Sequence, residues 1–385
     1  MTLQEPLPRR DERIDFLRGF ALLTIFVDHV PKNLFEPFTL HAYGFSDAAE
    51  LFFFLSGLVA AMVYGRTMER QGFVAAARRV WRRAGVVYGA QLGLLAVVLA
   101  LVWVCLAATG NDVFRWMFRV EWIYEDPLTY AMPVLTLHYQ PGYLDILPSY
   151  VLLLAIFPLV LKGLQRNVWL VLVPSCALWL AVQVFGLTLW TTRGERWFFD
   201  PFAWQFIFVL GAVVGHPALD GRLGFLKSPL LFKLAAVAAA AIAVVQISFA
   251  LNAVLPQIPN LRPDSLPLDK STLSPLRLAG FLALAVVARR FLPEKGVLLR
   301  QWPALAVIRC GRASLQIFAL GVVLSSLTAV TWVLGGNNAA LQSLLCLAGL
   351  GVQFAYAAWR ERTVRTPILA PVPVRAEPER LDGEI

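Results

Sequence analysis

Hydrophobic and polar positions alternate along this chain on the scale of whole segments. Apolar runs recur at 16–31, 48–65, 84–106, 143–161, 167–187, 202–216, 230–254, 273–288, 314–334 and 339–358, and about 20 apolar residues suffice for a helix to cross a hydrocarbon layer roughly 30 Å thick. The runs 16–31 and 202–216 are the shortest. The pattern predicts an all-α, polytopic membrane bundle of about ten transmembrane helices, forming one domain over residues 1–359. The remainder, 360–385, is rich in Pro, Arg and Glu and reads as a disordered cytosolic tail.

The first run carries an unusual polar set. In R-I-D-F-L-R-G-F-A-L-L-T-I-F-V-D-H, residues Asp15, Arg18, Leu22, Ile25 and His29 fall on one helical stripe, because a helix turns about 100° per residue. An ionisable group at membrane depth costs several kcal/mol unless paired or hydrated, so each is a functional candidate. With a rise of about 1.5 Å per residue, His29 lies roughly 16 Å beyond Arg18. If Arg18 marks the cytosolic boundary, this imidazole sits past the middle of the bilayer.

Composition agrees: 58% of the 385 residues are hydrophobic, 15% are charged, and the mean hydropathy is +0.64, outside the range of soluble domains. Segments 1–18, 66–83, 162–166, 216–233, 289–312 and 360–380 hold about 26 of the 34 Lys and Arg residues. By the positive-inside rule these are cytosolic, and so are both termini. The net charge of +9 then reflects topology and contact with anionic lipid, not nucleic acid. The first run lacks a small-x-small cleavage site and reads as a retained helix. Cys105, Cys176, Cys310 and Cys346 are isolated, and the four His residues include no i,i+4 pair, so neither a disulfide framework nor a metal site is expected. No phosphate-binding glycine loop is present.

A second constellation is G-F-S-D-A-A-E-L-F-F-F-L-S-G, residues 44–57. Asp47 and Glu50 have capping-box spacing, and the same two carboxyls are placed to orient a nearby imidazole. Ser56 and Gly57 suit close helix packing. In the basic segment 66–83, Arg78 and Arg82 are candidate grips for donor phosphates, with lipid headgroup contact as the competing role. The segment 107–142 is read as the longest outer loop. It mixes Trp116, Trp122, Tyr124, Tyr130 and Tyr139 with Glu121, Glu125 and Asp126, a surface for sugars or an interfacial belt. It leads into L-H-Y-Q-P-G-Y-L-D-I-L-P, where His138, Tyr139 and Asp145 are candidate acceptor contacts. Further outer cations are Arg193, Arg196 and Lys270.

These segments, together with D-P-F-A-W-Q and L-D-K-S-T-L, closely resemble the OpgC family of bacterial inner-membrane proteins, related to the membrane acyltransferase-3 group. The resemblance runs from about residue 10 to about residue 335. It implies a ten-helix enzyme that transfers succinyl groups from succinyl-CoA onto osmoregulated periplasmic glucans. Carried over by position, Asp15, Arg18, His29, Asp47 and Glu50 match the first two motifs, and His138 and Asp145 the third. The chain departs from many relatives by carrying His41-Ala42 in place of Arg-Asn and by lacking a His near Gly280 and another near Ala313.

Such a reaction needs a base for the sugar hydroxyl, donors for the developing oxyanion and a place for the CoA phosphates. The assignment is His29 as general base, with Asp15, Asp47 and Glu50 as catalytic carboxyls and the adjacent Asp28 as a further possible partner. Arg13, Arg18, Arg78 and Arg82 receive the acyl-CoA donor; His138, Tyr139, Asp145 and Lys270 receive the glucan. No bound cofactor or metal is expected. A proton-coupled carrier of a small anion or glycan, or a noncatalytic partner of glucan synthesis, are the alternative readings.

Overall fold

The protein is represented by a computed structural model that describes residues 11–219, 224–263, 265–292 and 297–363. Among these residues the only extended pairing is a single bridge between Trp190 and Arg196; the regular structure is helical. The α-helices are α1 (Glu12–His29), α2 (Ala48–Thr109), α3 (Val113–Met117), α4 (Glu121–Glu125), α5 (Pro127–Leu135), α6 (Ile146–Arg166), α7 (Trp169–Phe185), α8 (Pro201–Gly215), α9 (Pro229–Val254), α10 (Pro275–Phe291), α11 (Trp302–Arg312), α12 (Ser314–Leu334) and α13 (Ala339–Thr363). A helix covers each apolar run of the sequence. Five stretches are long and apolar enough to cross a membrane: Ala48–Thr109, Ile146–Arg166, Pro229–Asn252, Ser314–Leu334 and Ala339–Thr363. Helix α13 continues through residues 360–363, and of the expected tail only 364–385 lies outside the described residues.

Close approach of backbones organises the bundle. Gly57 of α2 faces the Phe208 carbonyl of α8, while Gly211 and Gly215 of α8 face the carbonyls of Phe54 and Leu58. A side chain at any of these positions would collide with backbone, so the small residues set the α2–α8 distance. Ser56 and Gly57 therefore serve packing. Gly19 of α1 and Gly311 of α11 interlock in the same way. Thus the 289–312 segment, read from its charge as cytosolic, holds a helix laid along α1; Ala304, Ile308 and Gly311 are buried. Its charges conceal an apolar face.

Helix α2 bends at Gly72, whose φ of 81° is the left-handed conformation that only glycine adopts freely. Beyond the bend α2 runs antiparallel to α6: Trp81 Nε1 donates to the Ala155 carbonyl at 3.0 Å and Gln91 Nε2 to that of Leu144 at 2.9 Å. The start of α6 therefore lies level with Gln91, about 12 Å along α2 from Arg83 and inside the apolar run 84–106. The 107–142 segment also departs from an outer loop. Tyr124 Oη donates to the Leu99 carbonyl and Tyr88 Oη to that of Leu135, so α4 and α5 fold back along α2 into the same depth. Leu128, Met132 and Leu135 are exposed apolar residues there; a helix of composition P-L-T-Y-A-M-P-V-L is suited to lipid, which the Trp, Tyr and acidic residues around it obscured in the sequence.

Candidate functional site

Helices α2 and α6 begin around one chamber, into which α1 and α12 also project. The chamber has a volume of about 290 Å³, and its polar lining comprises Asp28, His29, His41, Asp47, Tyr143, Asp145, Lys270 and Ser325. Its floor is apolar, formed by Leu22, Phe26, Phe318 and Val322. Helix N-termini carry partial positive charge, so two of them turned toward one cavity favour developing negative charge within it. A wider depression bounded by Lys32, Glu36 and Trp332 shares Asp28, His29 and Tyr143 with the chamber, placing these three between the two spaces.

His29 ends α1. Its Nδ1 lies 2.6 Å from the Ile25 carbonyl. A carbonyl oxygen only accepts, so Nδ1 carries the proton and, in the neutral imidazole, Nε2 keeps its lone pair. The ring packs 5.5 Å from that of Tyr143, whose φ of 68° is unusual for an aromatic residue and stores strain at the chamber wall.

Asp47 and Lys270 of the lining belong to a four-member ionic cluster. Asp47 caps α2 by accepting from Ala49 N at 2.8 Å, and Glu50 accepts from Asp47 N at 2.9 Å, completing the capping box. Arg277, in the first turn of α10, donates Nε to Glu50 Oε1 at 2.8 Å and a terminal N–H to Asp47 Oδ2 at 3.1 Å. Lys270 Nζ lies 2.7 Å from Asp47 Oδ2. Two carboxyl groups thus meet two cationic side chains. Burial opposes ionisation of Asp47, but Lys270 and Arg277 outweigh it and hold its carboxyl well below the usual carboxylate range. The loop carrying Lys270 is pinned from behind: Trp204 Nε1 donates to the Lys270 carbonyl, Gln183 Nε2 to that of Thr272 and Trp179 Nε1 to that of Leu273.

Asp28 pairs with His41 rather than His29, at 3.3 Å from His41 Nδ1. The same nitrogen donates to Thr39 Oγ1 at 2.8 Å, since the Thr39 hydroxyl proton goes to the Glu36 carbonyl. The neighbouring Asp28 carboxylate raises the His41 imidazole above its ordinary value, against the effect of burial. Asp145 lines the chamber with His29 and makes no capping bond to α6. Of the three carboxyls that line the chamber, Asp28 meets His41 and Asp47 meets Lys270 and Arg277, which leaves Asp145 as the one available to His29.

Of the residues expected from sequence, His29, Asp47, Asp145 and Lys270 meet at the chamber, with Glu50 fully buried behind Asp47. The others lie elsewhere. Asp15 is buried near the far end of α1, 3.7 Å from Arg312 Nε, about 21 Å along the helix from His29; it shares a stripe with the imidazole but not a site. Arg13 chelates Asp11, and Arg18 is half-buried on α1. Arg78 and Arg82 are exposed beyond the Gly72 bend. His138 is exposed, with its ring against Trp197. Tyr139 is buried, donating its hydroxyl to the Arg119 carbonyl beneath the Arg193 guanidinium. Sequence reasoning missed Arg277, Tyr143 and Ser325 as site residues. An arginine in the first turn of an apolar helix was a usable signal for Arg277; nothing in the pattern singled out the other two.

The family model described as OpgC protein matches residues 10–365. No curated protein and no solved structure matches the chain.

Proposed function

The chain belongs to the OpgC family, and on that premise we propose that it is a membrane O-acyltransferase modifying periplasmic glucans in the bacterial inner membrane, with succinyl-CoA as donor and His29 as general base. The observation that carries this reading is the hydrogen bond from His29 Nδ1 to the Ile25 carbonyl, which fixes the tautomer with a basic Nε2 beside the chamber. In the reaction, Nε2 takes the proton of a glucan hydroxyl as its oxygen attacks the thioester carbonyl carbon. The C–S bond then breaks, and the imidazolium returns the proton to the departing thiolate. Asp145 stabilises that imidazolium.

In this reading the chain crosses the membrane about ten times with both ends in the cytosol, as the distribution of Lys and Arg favours. The chamber then lies at membrane depth, where an extended donor arm arriving past Arg13 and Arg18 and a sugar arriving from the periplasm both reach His29. Arg78 and Arg82 are available on the donor side for CoA phosphates. Lys270 and Asp145 face the acceptor, with His138 and Tyr139 contributing to the wall further out. The test is the acyl content of periplasmic glucans from cells with and without the protein, together with radiolabelled acyl transfer from succinyl-CoA by purified protein in vesicles. A carrier would move solute without forming acylated glucan.

A further inference from the structure

Resting on the acyltransferase reading, we infer that Ser325 of α12 is a catalytic residue, its hydroxyl donating a hydrogen bond to the carbonyl oxygen of the acyl group while His29, on the adjacent helix α1, acts in the same chamber. Two stripes of identical spacing line the chamber side by side. Leu22, Ile25, Phe26 and His29 project from α1, and Phe318, Gly321, Val322 and Ser325 from α12; all eight line the chamber. The helices are parallel: Arg312, just before α12, pairs with Glu12 at the start of α1, and further along, a Cβ built on Gly321 would sit 3.8 Å from that of Phe26.

That contact sets the register. His29 lies three residues beyond Phe26 and Ser325 four beyond Gly321, about 4.5 and 6 Å along parallel axes, so the base and the hydroxyl stand at nearly the same height. Ser325 is also near the middle of a 21-residue helix, the depth at which a donor entering from one face and an acceptor entering from the other would meet.

The hydroxyl is uncommitted. Ser326 donates to the Val322 carbonyl, Thr328 to that of Ser325 and Thr331 to that of Thr328, each closing onto its own helix. Ser325 Oγ has no hydrogen-bond partner among the described residues, although the residue is only 2% exposed. A hydroxyl that lines a chamber and bonds to nothing in the chain is free to donate to a ligand there. A thioester carbonyl between Ser325 and His29 accepts that hydrogen bond, which strengthens as its oxygen gains negative charge in the transition state. No covalent bond to Ser325 forms; the donated proton remains on Oγ.

The experiment compares wild type, Ser325→Ala and Ser325→Thr in vesicles, following succinyl transfer to glucan. Removing an oxyanion donor costs roughly 10²-fold in kcat, so Ser325→Ala should fall by about that factor with the KM for succinyl-CoA little changed, and Ser325→Thr should recover most of the loss. Thermal stability should be unaffected, because the hydroxyl bonds to nothing in the chain. A second readout is independent of turnover. In a His29→Ala background, the infrared stretch of succinyl-CoA labelled with ¹³C at the thioester carbonyl should lie lower when Ser325 is present than when it is Ala. Full turnover by Ser325→Ala with an unchanged carbonyl stretch overturns the inference, as does recovery of an acyl ester on Ser325. Absence of acylated glucan from wild type overturns the acyltransferase reading itself, whatever the infrared result.

Discussion

Arg277 of α10 grips both carboxyls of the capping box that starts α2, reaching Glu50 Oε1 and Asp47 Oδ2 from one guanidinium. Glu50 is fully buried, and the Arg277 side chain is only 11% exposed. Removing one partner of such a cluster leaves an uncompensated buried charge, worth about 3–5 kcal/mol. Arg277→Met should therefore lower the unfolding temperature of detergent-purified protein substantially, and adding Glu50→Gln should restore part of the loss. Additive effects of the two substitutions in a thermal-shift cycle would show that they act separately.

Asp47 separates capping from electrostatics. Asparagine caps helices as well as aspartate does, so Asp47→Asn keeps α2 started while releasing Lys270 from its ion pair. Near-normal protein levels with succinyl transfer reduced tenfold or more are expected. Full activity would assign Asp47 to capping alone.

His29→Ala should insert and accumulate as wild type does, because the imidazole bonds only to its own helix through Ile25. Loss of a general base costs about 10²–10⁴-fold in rate, and acylated glucan should fall to background. Normal acylation by a well-expressed variant would remove His29 from the chemistry.

The pair formed by His41 and Asp28 predicts a direction with pH. Its folded imidazole titrates above the ordinary value, so the stabilisation is fully present below about pH 6.5, the unfolded value, and is lost as pH rises through the higher folded value. The wild type should exceed His41→Asn in thermal stability at pH 5.5 by more than at pH 9. The effect is modest because the His41 side chain is 41% exposed.

The fold-back of α4 and α5 is open to depth measurement. In a background without the four native cysteines, a fluorophore at position 132 should be quenched by lipids brominated in the acyl chain, and one at position 111 should not. Equal quenching at both positions would return the 107–142 segment to the surface.

Segmental hydropathy was sufficient to locate every long helix, because an apolar run of membrane length has few other solutions. It failed where polarity and depth part company. The aromatic and acidic residues of 107–142 suggested an outer loop, yet hydroxyls of Tyr88 and Tyr124 tie that segment to α2. The site was half legible for a related reason. His29, Asp47 and Asp145 are polar interruptions at the ends of apolar runs, whereas Asp15, although on the His29 stripe, belongs to the opposite end. Ser325 gave no signal because hydroxyls are common inside apolar helices, and only the register of α12 against α1 distinguishes it.

The first helix packs against the last three. Glu12 meets Arg312, which in turn meets Glu361, and Phe26 lies against Gly321 and Gly349. During synthesis, nearly three hundred residues must emerge from the ribosome before α1 finds the partners of its acidic first turn and its imidazole gains the lining that α12 supplies. Closure of the chamber is therefore a late event of biogenesis. An early-terminated chain leaves α1 without Arg312 beside Glu12 and Asp15 and without a complete chamber around His29.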